Sequence, residues 1–181
     1  NLAENNCAMF GMVCRLTMQK GLHYLLPVLT DFLKHDVQLV VVGTGDPVLA
    51  THLSEVAEQF PDKFVFVEAY DNELSHLVEA GIDFFLMPSE FEPCGLNQIY
   101  SMAYGTLPIV RGVGGLKDSV VDYDVNRAEA TGFVFYDPTP QALLLTMLRA
   151  LLLYVQDHEE MKRMQLYAMQ KDFCWRKAAE Q

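Results

Sequence analysis

The nine residues Ser89-Glu90-Phe91-Glu92-Pro93-Cys94-Gly95-Leu96-Asn97 put a carboxylate into a tight Pro/Gly turn between two ordered patterns. Before them, Ile82-Asp83-Phe84-Phe85-Leu86-Met87-Pro88 reads as a buried strand. After them, Leu96 to Tyr104 reads as a helix. Glu92 is therefore expected at a strand's carboxyl end, facing a helix N-terminus. Free N–H groups and the macrodipole make such a terminus an anion site. In open α/β sheets the crevice outside the carboxyl ends of the strands is where ligands bind. A Glu there can grip sugar hydroxyls while the N–H groups grip phosphate, which is the chemistry needed to hold a sugar nucleotide.

Other segments offer compatible chemistry. Arg15-Leu16-Thr17-Met18-Gln19-Lys20-Gly21 follows the first apolar run and carries two cations five residues apart. Arg15 can fork onto two phosphate oxygens and Lys20 can act as a point charge, as a diphosphate would need; a solvated loop is the plainer reading. Gly43-Thr44-Gly45-Asp46-Pro47 lets backbone approach a ligand, or is simply a turn with Asp46 as N-cap and Pro47 at the first helical position. Tyr70, just after a third strand, can stack on a base. Cys94 near a helix start could be a lowered-pKa thiol. No His is placed beside it in sequence, His76 being a lone candidate, so a backbone and steric role is the better reading. Arg111-Gly112-Val113-Gly114-Gly115-Leu116 is a further amide-rich turn.

These segments need a scaffold that brings strand ends together. Strands are expected at 8–14, 37–42, 64–67, 82–87, 107–110 and 132–135, with helices at 22–33, 47–60, 72–79, 96–104, 116–121, 140–155 and 159–170. Leu22, Leu25, Leu26, Leu29, Phe32 and Leu33 make one apolar helical face, with Pro27 a candidate kink. The strands are nearly continuous in Val, Leu and Phe, as parallel strands covered on both faces are. Their alternation with helices implies a three-layer, Rossmann-like, doubly wound parallel α/β sheet. The five segments above then fall on one edge of that sheet.

Composition narrows the classes. The chain has 181 residues, 51% hydrophobic, and a formal net charge of -11. That charge argues against nucleic acid and anionic membranes as partners. Cys7, Cys14, Cys94 and Cys174 show no zinc or disulfide spacing, so reduced thiols in a cytoplasmic-type compartment are expected. No apolar run reaches the roughly 18 residues of a membrane helix. No paired-carboxylate metal motif accompanies the site. The Asn1 start, and an ending where a helix pattern is just beginning, are expected of a piece of a longer protein.

Taken in order, these motifs resemble the C-terminal domain of the bacterial glycogen synthase and plant starch synthase family. The matching elements are Arg15-Leu16-Thr17-x-Gln19-Lys20-Gly21, Gly43-Thr44-Gly45-Asp46-Pro47, Pro88-Ser89-x-Phe91-Glu92-Pro93-Cys94-Gly95-Leu96, Tyr104-Gly105-Thr106-Leu107-Pro108, Gly114-Gly115-Leu116 and Asp172-Phe173-x-Trp175. The resemblance implies the C-terminal half of a GT-B fold, in a retaining glucosyltransferase that moves glucose from ADP-glucose to an α-1,4-glucan, with ADP as product and no cofactor or metal. It implies Arg15, Lys20 and Glu92 as the catalytic set. Arg15 and Lys20 would stabilise the leaving diphosphate, and Glu92 would hold hydroxyls of the transferred glucose. Gly43, Gly45, Ser89 and Asn97 would join the substrate site. Amides of Cys94, Gly95 and Leu96 would meet sugar and phosphate, and Tyr70 would stack on adenine. A missing N-terminal domain would complete the cleft, and the protein would be bacterial and cytoplasmic, or plastid if from a plant. Asn97 and Val113 both stand where the family usually has Thr. Tyr100 stands where related retaining transferases carry a second Glu.

The rival readings are a GT-B transferase using UDP-glucose, a nucleotide-sugar epimerase or NAD enzyme, and a noncatalytic glucan-binding module. The NAD reading lacks a third glycine and a ribose-binding acid. The module would want a row of exposed aromatics, and Trp175 is the one tryptophan.

Overall fold

The computed structural model describes residue 2 and residues 6–173. Cys174 and Trp175 of the late motif lie outside them. Six strands form one parallel sheet: β1 (Ala8–Val13), β2 (Val37–Val42), β3 (Phe64–Val67), β4 (Phe84–Met87), β5 (Leu107–Arg111) and β6 (Phe133–Phe135), in the order β3-β2-β1-β4-β5-β6. β1 pairs with β2 from Ala8 opposite Val37 through Val13 opposite Val42. On its other side β1 meets β4, with Phe10 opposite Phe84. Chain order thus reverses at β1, and the crevice between the ends of β1 and β4 is the topological switch point where such sheets bind ligands.

Helices α1 (Leu22–Phe32), α2 (Pro47–Gln59), α3 (Asn72–Gly81), α4 (Asn97–Tyr104), α5 (Gly114–Ser119), α6 (Pro140–Gln156) and α7 (His158–Met169) connect and follow the strands. Alternate strand residues face opposite sides, as pleating requires. Phe10, Met12, Leu39, Val41, Phe84 and Ile109 pack with Leu25, Leu29 and Phe32 of α1, Leu53 of α2 and Leu143 and Met147 of α6. Phe85, Met87, Val110 and Val134 pack on the other face with Val78 of α3 and Leu116 of α5. This is the three-layer arrangement expected from the unbroken apolar strands. Among the described residues no helix is long and apolar enough to cross a membrane.

Local chemistry sets the boundaries. Asp46 caps α2 by accepting from the N–H groups of Val48 and Leu49, with Pro47 at the first helical position. Asp71 caps α3 through the Leu74 N–H, and Thr139 caps α6 through Ala142. α1 continues through Pro27, which lies on its exposed side, where water can serve the carbonyl that proline leaves unpaired. α5 starts at Gly114, two residues before the expected Leu116, and ends earlier, at Ser119. α4 starts at Asn97 with Leu96 as its N-cap. Cys94 lies two residues before that cap, in the turn ahead of the helix, as the expected start at 96 implied.

Candidate active site

The chain leaving β1 is pinned before it reaches its cations. Leu16 is buried and forms a parallel bridge with Gly45. Its N–H donates to the Thr44 carbonyl at 2.9 Å, and its own carbonyl accepts from the Asp46 N–H at 2.9 Å. A short 3-10 turn, Met18–Lys20, follows and ends on Gly21 at φ 79°, a left-handed conformation that glycine adopts without a Cβ penalty. A Cβ at Gly21 would also drive into the Pro88 carbonyl. The turn therefore packs directly against the loop after β4.

That packing brings Lys20 to Glu92. Lys20 Nζ is 2.5 Å from Glu92 Oε2, and both side chains are largely buried. The Ser89 hydroxyl donates to the same oxygen at 3.3 Å, and Ser89 itself is buried. Glu92 is thus aimed by a cation from one strand end and a hydroxyl from its own loop. Arg15, by contrast, stays exposed at the mouth of the crevice.

The Glu92 loop is held by Arg111, the last residue of β5. Buried Arg111 donates from Nε to the Ser89 carbonyl at 2.8 Å. Its NH2 donates to the Glu90 carbonyl and lies 3.3 Å from the Glu90 carboxylate. Glu90 also accepts from the Tyr24 hydroxyl and lies 2.8 Å from His23 Nε2, both at the start of α1. Its N–H donates to the Gln19 carbonyl at 2.8 Å, while Gln19 Nε2 donates to the Phe91 carbonyl at 3.2 Å. The Gly115 N–H closes the set on the Glu92 carbonyl at 3.0 Å. The Tyr24 hydrogen bond is the main force holding the Glu90 carboxyl below its usual range. Burial, with help from Glu90, pushes the Tyr24 phenol up to about 12.

Two adjoining lobes open over this machinery. The first, about 340 Å3, is lined by Arg15, Lys20, Ser89, Glu92, Gly95, Leu96 and Asn97. The second, about 210 Å3, is lined by Gly43, Thr44, Tyr70, His76, Glu79 and Tyr100. Val13, Cys14, Arg15 and Asn97 line both, so a cation stands at their junction. At this junction α4 begins without a side-chain cap, leaving its first N–H groups to whatever binds there. Tyr70 stands at the rim of the second lobe, 93% exposed. The two-lobed shape fits a molecule with a nucleoside at one end, a sugar at the other and a diphosphate between. The walls carry two cations, Arg15 and Lys20, and two carboxylates, Glu79 and Glu92, with Lys20 paired to Glu92 and Arg15 exposed at the junction.

The structure thus gathers Arg15, Lys20, Glu92, Gly43, Tyr70, Ser89, Gly95, Leu96 and Asn97 around one crevice, and leaves Gly45 and Cys94 off its walls. The need for glycine at 43 and 45 comes from the protein itself. A Cβ at Gly43 would collide with the Cys14 carbonyl, and one at Gly45 with that of Leu16. Gln98 Nε2 ties the Cys94 and Gly95 carbonyls to Ser119 Oγ, fixing the turn, while the Cys94 side chain remains exposed. Asn97 donates from Nδ2 to the Val13 carbonyl at 3.2 Å, a tie from α4 to β1. The residues that sequence reading passed over are Tyr24, His23 and Glu90 as braces, and Glu79 on the second lobe.

This fold is that of a glycosyltransferase domain. The chain matches the profile described as "Glycosyl transferases group 1" over residues 2–171, and it belongs to that family. It is 83% identical over 180 residues to a glycogen synthase of Vibrio parahaemolyticus, covering 99% of this chain and 37% of that protein. It is 68% identical over 179 residues to a glycogen synthase of Aliivibrio fischeri, again covering 99% and 37%. Among solved structures, the catalytic domain of starch synthase IV from Arabidopsis thaliana, bound to ADP and acarbose, superposes with a TM-score of 0.89 at 34% identity, over 98% of this chain and 37% of that one. The chain therefore spans little more than a third of the curated relatives it matches. A C-terminal domain of a group 1 glycosyl transferase from Francisella tularensis shares the fold at 16% identity, with a TM-score of 0.70 over 93% of this chain and 91% of that one.

Proposed function

We propose that the chain is the donor-binding domain of a retaining glucosyltransferase that takes glucose from ADP-glucose and extends the non-reducing end of an α-1,4-glucan. The observation that carries this is the junction of the two lobes. Arg15 and the uncapped start of α4 lie where a diphosphate would sit, with Lys20 and Glu92 on the sugar side and Tyr70 on the nucleoside side. Arg15 and Lys20 would stabilise the negative charge that grows on the departing diphosphate, a contribution available only in the transition state. Glu92 would fix hydroxyls of the transferred glucose, and its aim is set by Lys20 and Ser89 before any sugar arrives. In this reading the cations carry the electrostatic work at the diphosphate and no cofactor takes part. A companion N-terminal domain supplies the acceptor wall and excludes water on closure. The site of action is the bacterial cytoplasm.

Two measurements test it together. Titration calorimetry of the 181-residue chain with ADP, UDP and NAD is expected to show weak binding with ADP preferred. A glucan-elongation assay with ADP-glucose is expected to show no transfer by this chain and transfer by the protein that includes the companion domain. Tighter binding of UDP or NAD would overturn the donor, and elongation by the chain alone would overturn the need for a second domain.

A further inference from the structure

The second lobe contains a pair of side chains for which the transfer chemistry has no role. Glu79, in the last turn and a half of α3, is only 2% exposed, yet it lines the crevice. Its Oε2 makes no aligned hydrogen bond and faces His76 Nδ1 at 3.2 Å. Burial raises its carboxyl above the usual range, with His76 opposing the shift. Placing a carboxylate here is unfavourable for folding. The nearby structural tie does not need it, because the Thr106 hydroxyl donates to the Glu79 backbone carbonyl rather than to its side chain. The His76 ring lies 5.8 Å from the Tyr100 ring and 6.1 Å from the Tyr104 ring, centroid to centroid, and the Tyr104 hydroxyl is 3.4 Å from Nδ1. The imidazole is therefore fenced on several sides and is itself part of the lobe's wall.

We propose that His76, oriented by Glu79, selects the donor's base by accepting a hydrogen bond from an exocyclic amine. A carboxylate facing Nδ1 keeps the proton on that nitrogen and leaves Nε2 with a lone pair. The hydrogen-bonding contacts of His76 fall on Nδ1, and no described side chain bonds Nε2. An acceptor so placed welcomes the 6-amino group of adenine and opposes a 6-oxo group, which is itself an acceptor. Tyr70 on the same lobe supplies a plane for stacking, which every base satisfies, so discrimination falls to the edge acceptor. Glu79 is a positioning residue in this scheme, since it acts through His76. The inference rests on the nucleoside-diphosphate reading above and deepens it.

The test is titration of the 181-residue chain and its variants with ADP, inosine diphosphate and UDP; inosine diphosphate replaces the 6-amino donor of adenine with a 6-oxo acceptor and, with it, the N1 acceptor with an N1–H donor, leaving the rest of the molecule unchanged. The wild-type chain is expected to favour ADP over inosine diphosphate by roughly tenfold, the scale of one hydrogen bond exchanged for an acceptor facing an acceptor. His76→Ala should bring that ratio close to one while still binding ADP. In Glu79→Gln the carboxamide can offer Nδ1 either an oxygen or an NH2, so His76 is no longer held to one tautomer, and the ratio should fall by about threefold or more. An unchanged ratio in His76→Ala, or in Glu79→Gln should the first variant not fold, overturns the assignment. Wild-type preference for ADP over UDP without preference over inosine diphosphate also overturns it, while leaving the donor reading intact. Wild-type preference for UDP over ADP defeats the donor reading itself.

Discussion

Lys20 Nζ and Glu92 Oε2 stand 2.5 Å apart, so the cation expected at the diphosphate and the carboxylate expected at the sugar are one ion pair. Their substitutions should then be coupled. In the full-length enzyme, Lys20→Ala is expected to lower turnover by ~30- to 1000-fold, corresponding to about 2–4 kcal/mol of lost transition-state stabilisation. Arg15→Ala should act in the same direction. Glu92→Gln should nearly abolish transfer while leaving the fold intact, because its loop is held by Arg111, by the Tyr24–Glu90 brace and by backbone bonds rather than by the Glu92 side chain. The Lys20→Ala/Glu92→Gln double variant should lose less than the product of the single losses, with a coupling of about 0.5–3 kcal/mol. Steady-state kinetics of the four proteins decide this, and strict additivity would show that the pair does not act together.

Arg111 lies beneath the Glu92 loop and donates to two of its backbone carbonyls. Arg111→Ala leaves those acceptors without their donor, and a buried unpaired polar group costs about 1–3 kcal/mol. The expected result is a lower melting temperature together with a fall in kcat larger than the change in KM. Arg111→Lys should restore part of the stability but little of the kcat, since a point charge cannot reproduce the fork. Equal loss in kcat and donor affinity would place Arg111 outside the positioning of Glu92.

Much of this is legible in the sequence. The strands announced themselves as unbroken Val, Leu and Phe runs, and their ends named Arg15, Lys20, Tyr70 and Glu92 as neighbours, because a parallel sheet has one carboxyl edge. Gly43 and Gly45 were legible as glycines but not as to why: whether a missing Cβ makes room for a ligand or for the Cys14 and Leu16 carbonyls depends on β1–β2 register. The brace of Tyr24, Glu90 and Arg111 was illegible because it joins side chains 66 and 21 positions apart, which no local pattern marks. Glu79 left a fainter sign, the three-residue spacing from His76 that lets two side chains meet on a helix.

The Tyr24–Glu90 hydrogen bond should make stability depend on acid. Glu90's folded-state carboxyl lies below its ordinary 4.5, chiefly through Tyr24, so its contribution is present above 4.5 and is lost as pH falls through the lowered folded value. Tyr24→Phe should therefore melt below wild type at pH 7, with the difference closing in acid. At the other extreme the Tyr24 phenol, raised to about 12, stabilises fully below 10 and ceases to do so as pH climbs past 12. Melting curves of both proteins across these windows supply the check, and a gap that persists unchanged below pH 4 would contradict it.

Glu79 carries the opposite sign. Its raised carboxyl favours the protonated folded state, so its stabilising contribution exists below 4.5 and disappears as pH rises through the raised folded value. Glu79→Gln is expected to melt at or above wild type at pH 7, with the advantage narrowing in acid. A variant that melts well below wild type at pH 7 would mean that the carboxylate supports the fold.

The thiols should separate by burial. Cys94 is exposed, whereas burial pushes Cys14 up to about 12. Iodoacetamide at pH 8 should alkylate Cys94 well before Cys14, as followed by peptide mass mapping. Cys94→Ser should keep substantial activity in the full-length enzyme, because the exposed sulfur lies off the crevice walls and serine preserves the turn's backbone. Complete loss with an intact fold would make the sulfur a participant.

The reversal of strand order at β1 also governs when the crevice comes into being. β1 and β2 follow one another in the chain and can pair early, carrying Arg15 and Lys20 with them. Glu92 reaches Lys20 only after a segment of 72 residues closes, when β4 docks on the free side of β1. Closing so long a segment is slow relative to local pairing. On a ribosome, cations for phosphate would emerge and take shape well before any partner for the sugar exists. On the donor reading, the full sugar-nucleotide site is therefore completed in one late step, the joining of the two half-sheets, and capture of the sugar nucleotide, rather than of the bare nucleotide, during refolding should report that step.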